Sequence, residues 1–140
     1  MGRLAATLLA ACPKGFDVLP APYDWVVGPR TSFQPDIIVA RTADLGPLRL
    51  ERLPALAVEV LSPSTRLVDL NLKRAAYEAA GVPAFWIVDP EAPSLTALSL
   101  DQDGRYSDEV QVEGSEPYRA TLPFDMTVVP ADLLRAGAVD

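Results

Sequence analysis

A chain of 140 residues is long enough for one domain with a sizeable core, and 49% hydrophobic against 22% charged residues is a globular composition that excludes disorder. The absence of histidine and the single cysteine, Cys12, exclude a disulfide framework, a Cys/His zinc site and a serine–histidine triad, so any metal would be oxygen-ligated Mg2+ or Mn2+. The lone thiol fits a reducing, cytoplasmic compartment, and a net charge of −7 argues against a general nucleic-acid binder.

The acidity is uneven. Residues 1–100 carry 10 acids and 9 bases, whereas residues 101–140 carry 9 acids and 3 bases. Arg30, Arg41, Arg49, Arg52, Arg66, Lys73 and Arg74 all flank the central stretch, and a bound divalent cation would make that region more positive.

Met1 to Cys12, MGRLAATLLAAC, reads as an Ala/Leu-rich helix packed on a sheet and ended by Pro13. Its apolar run is too short to span a bilayer, and no membrane partner is expected. Its outline also resembles a very short lipoprotein export signal ending at Cys12; the packed helix is the favoured reading. Gly15 to Gly28 holds two short β-prone pieces around Pro20 and Pro22. Ser32 to Arg41 (SFQPDIIVAR) is a strand with Asp36, Ile38 and Ala40 on one face and Ile37, Val39 and Arg41 on the other. Thr42 to Pro54 reads as a loop.

Ala55 to Leu61 is apolar on both faces except at Glu59, the pattern of a strand buried on both sides. Ser62-Pro63-Ser64-Thr65 ends it and offers capping hydroxyls. A helix from Leu67 to Ala80 stops at Gly81, with Pro83 beyond, and places Asp69, Lys73, Ala76, Tyr77 and Ala80 on one face. Ala84 to Asp89 is a further apolar strand. Leu95 to Leu100 and Tyr106 to Val112 form a hairpin through Asp101-Gln102-Asp103-Gly104. Tyr118 to Val129 is one more strand, and Pro130 begins a last helical turn through Leu134. This order predicts a mixed α/β or α+β sheet with helices packed against it, in one domain spanning residues 1–140.

An ionised carboxylate inside a buried strand costs several kcal/mol, on the order of what an unpaired buried ion costs, so Glu59 must be paired, neutralised or turned into a cleft. Its plain reading is a buried ion pair with an arginine. Asp36 could equally be a strand-start turn residue, and Lys73 an i+4 partner of Asp69 on a solvated helix face. Ser62 reads as a cap, Tyr77 and Trp86 as core, and Asp89 as a turn residue. If the strands of Asp36 and Glu59 are neighbours, their carboxylates converge, and a divalent cation relieves the repulsion, with the Val60 carbonyl able to complete the ligand set. Lys73 would then hold the attacking water or stabilise developing charge. It is one of only two lysines beside ten arginines, which suggests that a compact ammonium is wanted at that spot.

Pro35-Asp36 followed by IIV, then AVEVLSPST, Asp69, Lys73, Tyr77 and GVPAFWIVDP together resemble the Uma-type putative restriction endonuclease family of the PD-(D/E)xK nuclease-like superfamily. The resemblance is close from Asp36 to Pro90 and looser elsewhere. It implies a restriction-endonuclease-like mixed β-sheet flanked by helices and Mg2+-dependent DNA cleavage. Asp36 matches the motif aspartate and Glu59 the motif acid. The usual lysine two positions after the acid is Leu61 here, and Lys73 matches a lysine that family members carry on the following helix. Ser62, Asp69 and Tyr77 would orient their neighbours.

The chain departs from the pattern. The family's longer N-terminal part, with its upstream glutamate and frequent histidine, is not matched, and Ala84 stands where glutamate is common. A nuclease-fold module without activity, acting through protein binding or as a homodimer, is therefore the alternative expectation.

Overall fold

The computed structural model describes residues 2–64 and 67–133. Thr65, expected as a capping hydroxyl, and Leu134, expected to end the last helical turn, lie outside them.

The first helix, α1 (Gly2–Ala11), buries Leu4 and Leu8, which share a face at i, i+4 spacing. The packed-helix reading is thus the one observed. Two short strands follow, β1 (Phe16–Pro20) and β2 (Asp24–Gly28). The run read as one strand from Ser32 to Arg41 is two, β3 (Thr31–Phe33) and β4 (Ile37–Arg41), which belong to different sheets. The break falls at Gln34-Pro35, where proline has no N–H to give a ladder and biases its predecessor. The expected loop from Thr42 to Pro54 contains a 3-10 turn, Thr42–Asp44, and a two-residue strand, β5 (Arg49–Leu50), parallel to β2.

The centre of the molecule is β6 (Leu56–Val60), with helix α2 (Leu67–Ala80) crossing back to β7 (Ala84–Asp89) in parallel register. The predicted hairpin is present as β8 (Ser94–Ser99) and β9 (Asp108–Glu113). The run from Tyr118 to Val129 is not one strand. It reverses at residues 121–125, around Pro123, and pairs with itself as β10 (Tyr118–Ala120) and β11 (Met126–Val128). Residues 130–133 are helical.

Six strands make the main sheet, in the order β1-β4-β6-β7-β8-β9, antiparallel except for β6 with β7. A smaller sheet has the order β3-β2-β5. Alternation along the central strands feeds two cores, one per face. Ile37, Val39, Leu56, Val58 and Trp86 pack with Leu4 and Leu8. Ile38, Ala40, Ala57 and Phe85 pack with Tyr77 of α2 and Trp25 and Leu50 of the smaller sheet. Burial on both faces explains why β4 and β6 read as nearly continuous apolar runs.

Helix α2 ends where its sequence says. Gly81 has φ 91°, its N–H bonds to the Glu78 carbonyl at 3.1 Å, and the Val82 N–H bonds to the Tyr77 carbonyl at 3.0 Å. This is the paired carbonyl capping of a left-handed glycine terminus. Gly81→Ala forces a Cβ into that conformation and lowers unfolding free energy by about 1–2 kcal/mol, readable as a shift in urea midpoint.

Candidate active site

The antiparallel register of β4 on β6 pairs Ile37 with Val58 and Ile38 with Ala57. One step further, Asp36 stands across from Glu59, so both side chains leave the same face of the sheet, the one that carries α2. The Val60 N–H donates to Asp36 Oδ2 at 2.6 Å, tying the start of β4 to the end of β6.

Glu59 is 6% exposed and is the buried charged residue among those described. Both its oxygens accept hydrogen bonds from α2: Lys73 Nζ donates to Oε1 at 3.0 Å and the Tyr77 hydroxyl donates to Oε2 at 2.9 Å. Lys73 and Tyr77 are four residues apart, so successive turns of one helix face deliver both donors. The partner of Glu59 is thus a lysine rather than an arginine, and Lys73 reaches the sheet rather than Asp69 on its own helix. Tyr77 is held by aromatic rings on three sides, with centroids of Phe85, Phe33 and Trp25 at 5.0, 5.3 and 5.4 Å. The smaller sheet supplies two of those rings, which fixes the tyrosine aimed at the carboxylate.

Burial pushes the Glu59 carboxyl above its ordinary value, outweighing the lowering by the Lys73 hydrogen bond and charge and by the Tyr77 hydrogen bond; the charge of Asp36 adds to the rise. Tyr77 is pushed far up by burial and by the adjacent Glu59 charge and stays a neutral donor.

A cleft of about 190 Å³ opens at this end of the sheet, lined by Asp36, Glu59, Val60, Leu61, Ser62, Asp69, Leu70 and Lys73. It brings six of the sequence-derived candidates to one surface, with Tyr77 buried behind Glu59. The Val60 side chain packs in the opposite core, so its backbone is what reaches the cleft. Ser62 Oγ lies 3.0 Å from Ser64 Oγ, and Asp69 is exposed in the first turn of α2. Asp89 behaves as the turn residue expected, accepting from the Glu91 N–H at 3.0 Å, yet it also lines an adjoining cavity of about 230 Å³ with Glu91, Leu61, Ser62 and Leu70. The sequence reading did not connect Glu91 to the site; its position just past the end of β7, beside the strand bearing Glu59, was the available signal. Among the described residues no three His, Cys, Asp or Glu side chains come together as a metal cage.

A mixed sheet flanked by helices, with two acids and a lysine at one end of its central strands, is a nuclease-like architecture. The fold matches the crystal structure of a "putative nuclease belonging to DUF820" from Anabaena variabilis with a TM-score of 0.73, at 14% identity, over 96% of this chain and 77% of that one. The family model described as "Uma2: Putative restriction endonuclease" matches residues 2–132, and the chain belongs to that family. No curated protein matches the sequence. Among the described residues, no helix is long and apolar enough to cross a membrane.

The raised Glu59 carboxyl has a signed consequence for stability. The folded chain holds this proton at pH values where the unfolded chain has released it. The resulting stabilisation is full below the ordinary value of 4.5 and is lost as pH rises through the folded value. Glu59→Gln removes that dependence. Wild type therefore loses ground against the variant in urea midpoints measured from about pH 4 upward, through the ordinary glutamate range.

Proposed function

We propose that this chain is a divalent-metal-dependent endonuclease that hydrolyses DNA phosphodiester bonds at the cleft bounded by Asp36, Glu59 and Lys73. The observation that carries the reading is the convergence of two carboxylates from adjacent strands with an ammonium from the next helix, Lys73 Nζ standing 3.0 Å from Glu59 Oε1. Membership of a family described as "Putative restriction endonuclease" supports DNA as the substrate class.

The donor set fits a small hard cation. Asp36, Glu59 and the Val60 carbonyl offer oxygen ligands only, and Mg2+ needs just one or two protein carboxylates because it keeps several waters and takes phosphate oxygens as ligands. When bound, the metal would activate a water and polarise the phosphoryl oxygen. The chain's own residues do the rest. Asp36 is oriented by the Val60 N–H. Glu59 is presented by Tyr77, whose hydroxyl fixes the carboxylate plane from within the core. Lys73, with 39% of its side chain exposed, is reached by solvent and can hold the attacking water or meet charge developing on the phosphate. Leu61, in the position usual for the motif lysine, leaves that task to the helix. Ser62 and Asp69 border the path to the site.

A second reading, a silent nuclease-fold module that dimerises or binds protein, has its own support. Leu67, Val68 and Leu72 are 71%, 67% and 64% exposed along α2, and among the described residues no third acid comes close enough to Asp36 and Glu59 to complete a metal cage.

Two measurements separate the readings. Titration with Mn2+ should give heat in wild type and none in Glu59→Ala; no heat, or equal heat in both, favours the silent module. Supercoiled DNA should be nicked with Mg2+ or Mn2+, and Lys73→Ala should slow nicking by about 100-fold or more, the scale for removing a group that stabilises developing charge.

A further inference from the structure

The catalytic cleft occupies the end of the sheet where β4 begins and β6 and β7 finish. The opposite end, about 17 Å away along β4 at the usual rise per strand residue, carries a larger groove of about 600 Å³, bordered by Arg41 at the end of β4 and Pro83 at the start of β7. Its volume lies in the range of small-molecule sites.

Apolar and cationic groups share this groove. Leu53 and Leu122, from distant loops, are 46% and 44% exposed and both line it, so apolar surface in the groove is left open to solvent. Arg41 and Arg52 line it too, and neither forms an ion pair among the described residues. The Arg41 guanidinium sits 5.6 Å from the centroid of Phe16, another lining residue, so one of the two cations is held against an aromatic face. One acid, Asp44, borders the same space. In a chain of net charge −7, this is a depression where arginines outnumber acids.

We propose that this groove binds a nucleoside monophosphate, at a site separate from the catalytic cleft. A phosphate monoester carries about −1.5 to −2 charge and three acceptor oxygens, which two guanidinium forks can share. The flat base lies against the Leu53 and Leu122 surface, and Asp44 accepts from a sugar hydroxyl or an exocyclic amine. A carboxylate ligand would need only one of the arginines, and a bare phosphate would leave the leucines uncovered.

Calorimetric titration of the intact chain in EDTA, which keeps metal-bridged phosphate out of the catalytic cleft, tests this with deoxyadenosine monophosphate, deoxyadenosine and inorganic phosphate. The monophosphate should bind, and each of the other two should bind at least about tenfold more weakly. Arg41→Gln and Arg52→Gln should each weaken monophosphate binding about tenfold, and Arg30→Gln, at an exposed arginine outside the groove, should leave it unchanged. All three arginines are exposed, so these variants keep the fold. Absence of heat with the monophosphate, equal affinity for inorganic phosphate, unchanged affinity in Arg41→Gln or Arg52→Gln, or loss of binding in Arg30→Gln would each overturn the assignment.

Discussion

Glu59 stands in a strand whose other residues are all apolar, and two donors make its burial tolerable. Each donor meets one oxygen of the carboxylate, and both arrive from the same face of α2. The crossover from β6 through α2 to β7 is therefore more than a connection between parallel strands. It lays the helix over the sheet so that a carboxylate rising from the strand meets a lysine and a tyrosine descending from the helix. The aromatic packing of Tyr77 against Trp25, Phe33 and Phe85 then ties the smaller sheet to the same point. Breaking one partner of such an arrangement leaves charge or a polar group buried without compensation, which is far costlier than losing a surface pair.

Much of this was legible in the sequence because it follows from local rules. The end of helix α2 could be read closely and its start approximately, since Gly81 and Pro83 supply a clear stop and the apolar run before it ends at Pro63. That Asp36 and Glu59 belong to extended apolar segments was legible; that those segments are neighbours was only a condition, and the pairing of β4 with β6 meets it. Tyr77 stood on the same helix face as Lys73 and read as a core residue; it is both, a core ring whose hydroxyl reaches the site. Pro35 and Pro123 were also in plain view, and each splits a run that alternation alone joined. What stayed hidden depends on distant pairings. A strand of two residues, Arg49–Leu50, carries no periodicity, and nothing local says that it lies beside β2. Two of the rings around Tyr77, Trp25 and Phe33, come from segments more than forty residues away in the chain, so no window on α2 could reveal them.

The two ends of the sheet differ in character for a reason rooted in chain direction. At the end where β4 starts, the side chains brought together are acids, hydroxyls and one lysine. At the other end they are arginines, leucines and a phenylalanine. The central strands β4 and β6 are apolar on both faces apart from Arg41 and Glu59, so their polar groups gather near the strand ends, and the antiparallel pairing of β4 with β6 puts the start of one beside the finish of the other. The match to the Anabaena variabilis structure at 14% identity shows how little sequence that framework requires. Leu61 brings no charge to the end of β6; the ammonium beside Glu59 comes from the helix, as Lys73.

The spacing of Lys73 and Tyr77 binds these two positions into one inherited unit. Each residue of a helix turns about 100° from the last, so a single insertion or deletion between them would swing one donor a quarter-turn away from Glu59 while the other remained. A length change outside α2 leaves the register of the two donors on that helix intact. The turn of helix between positions 73 and 77 has no such freedom, and it can drift only by substitution.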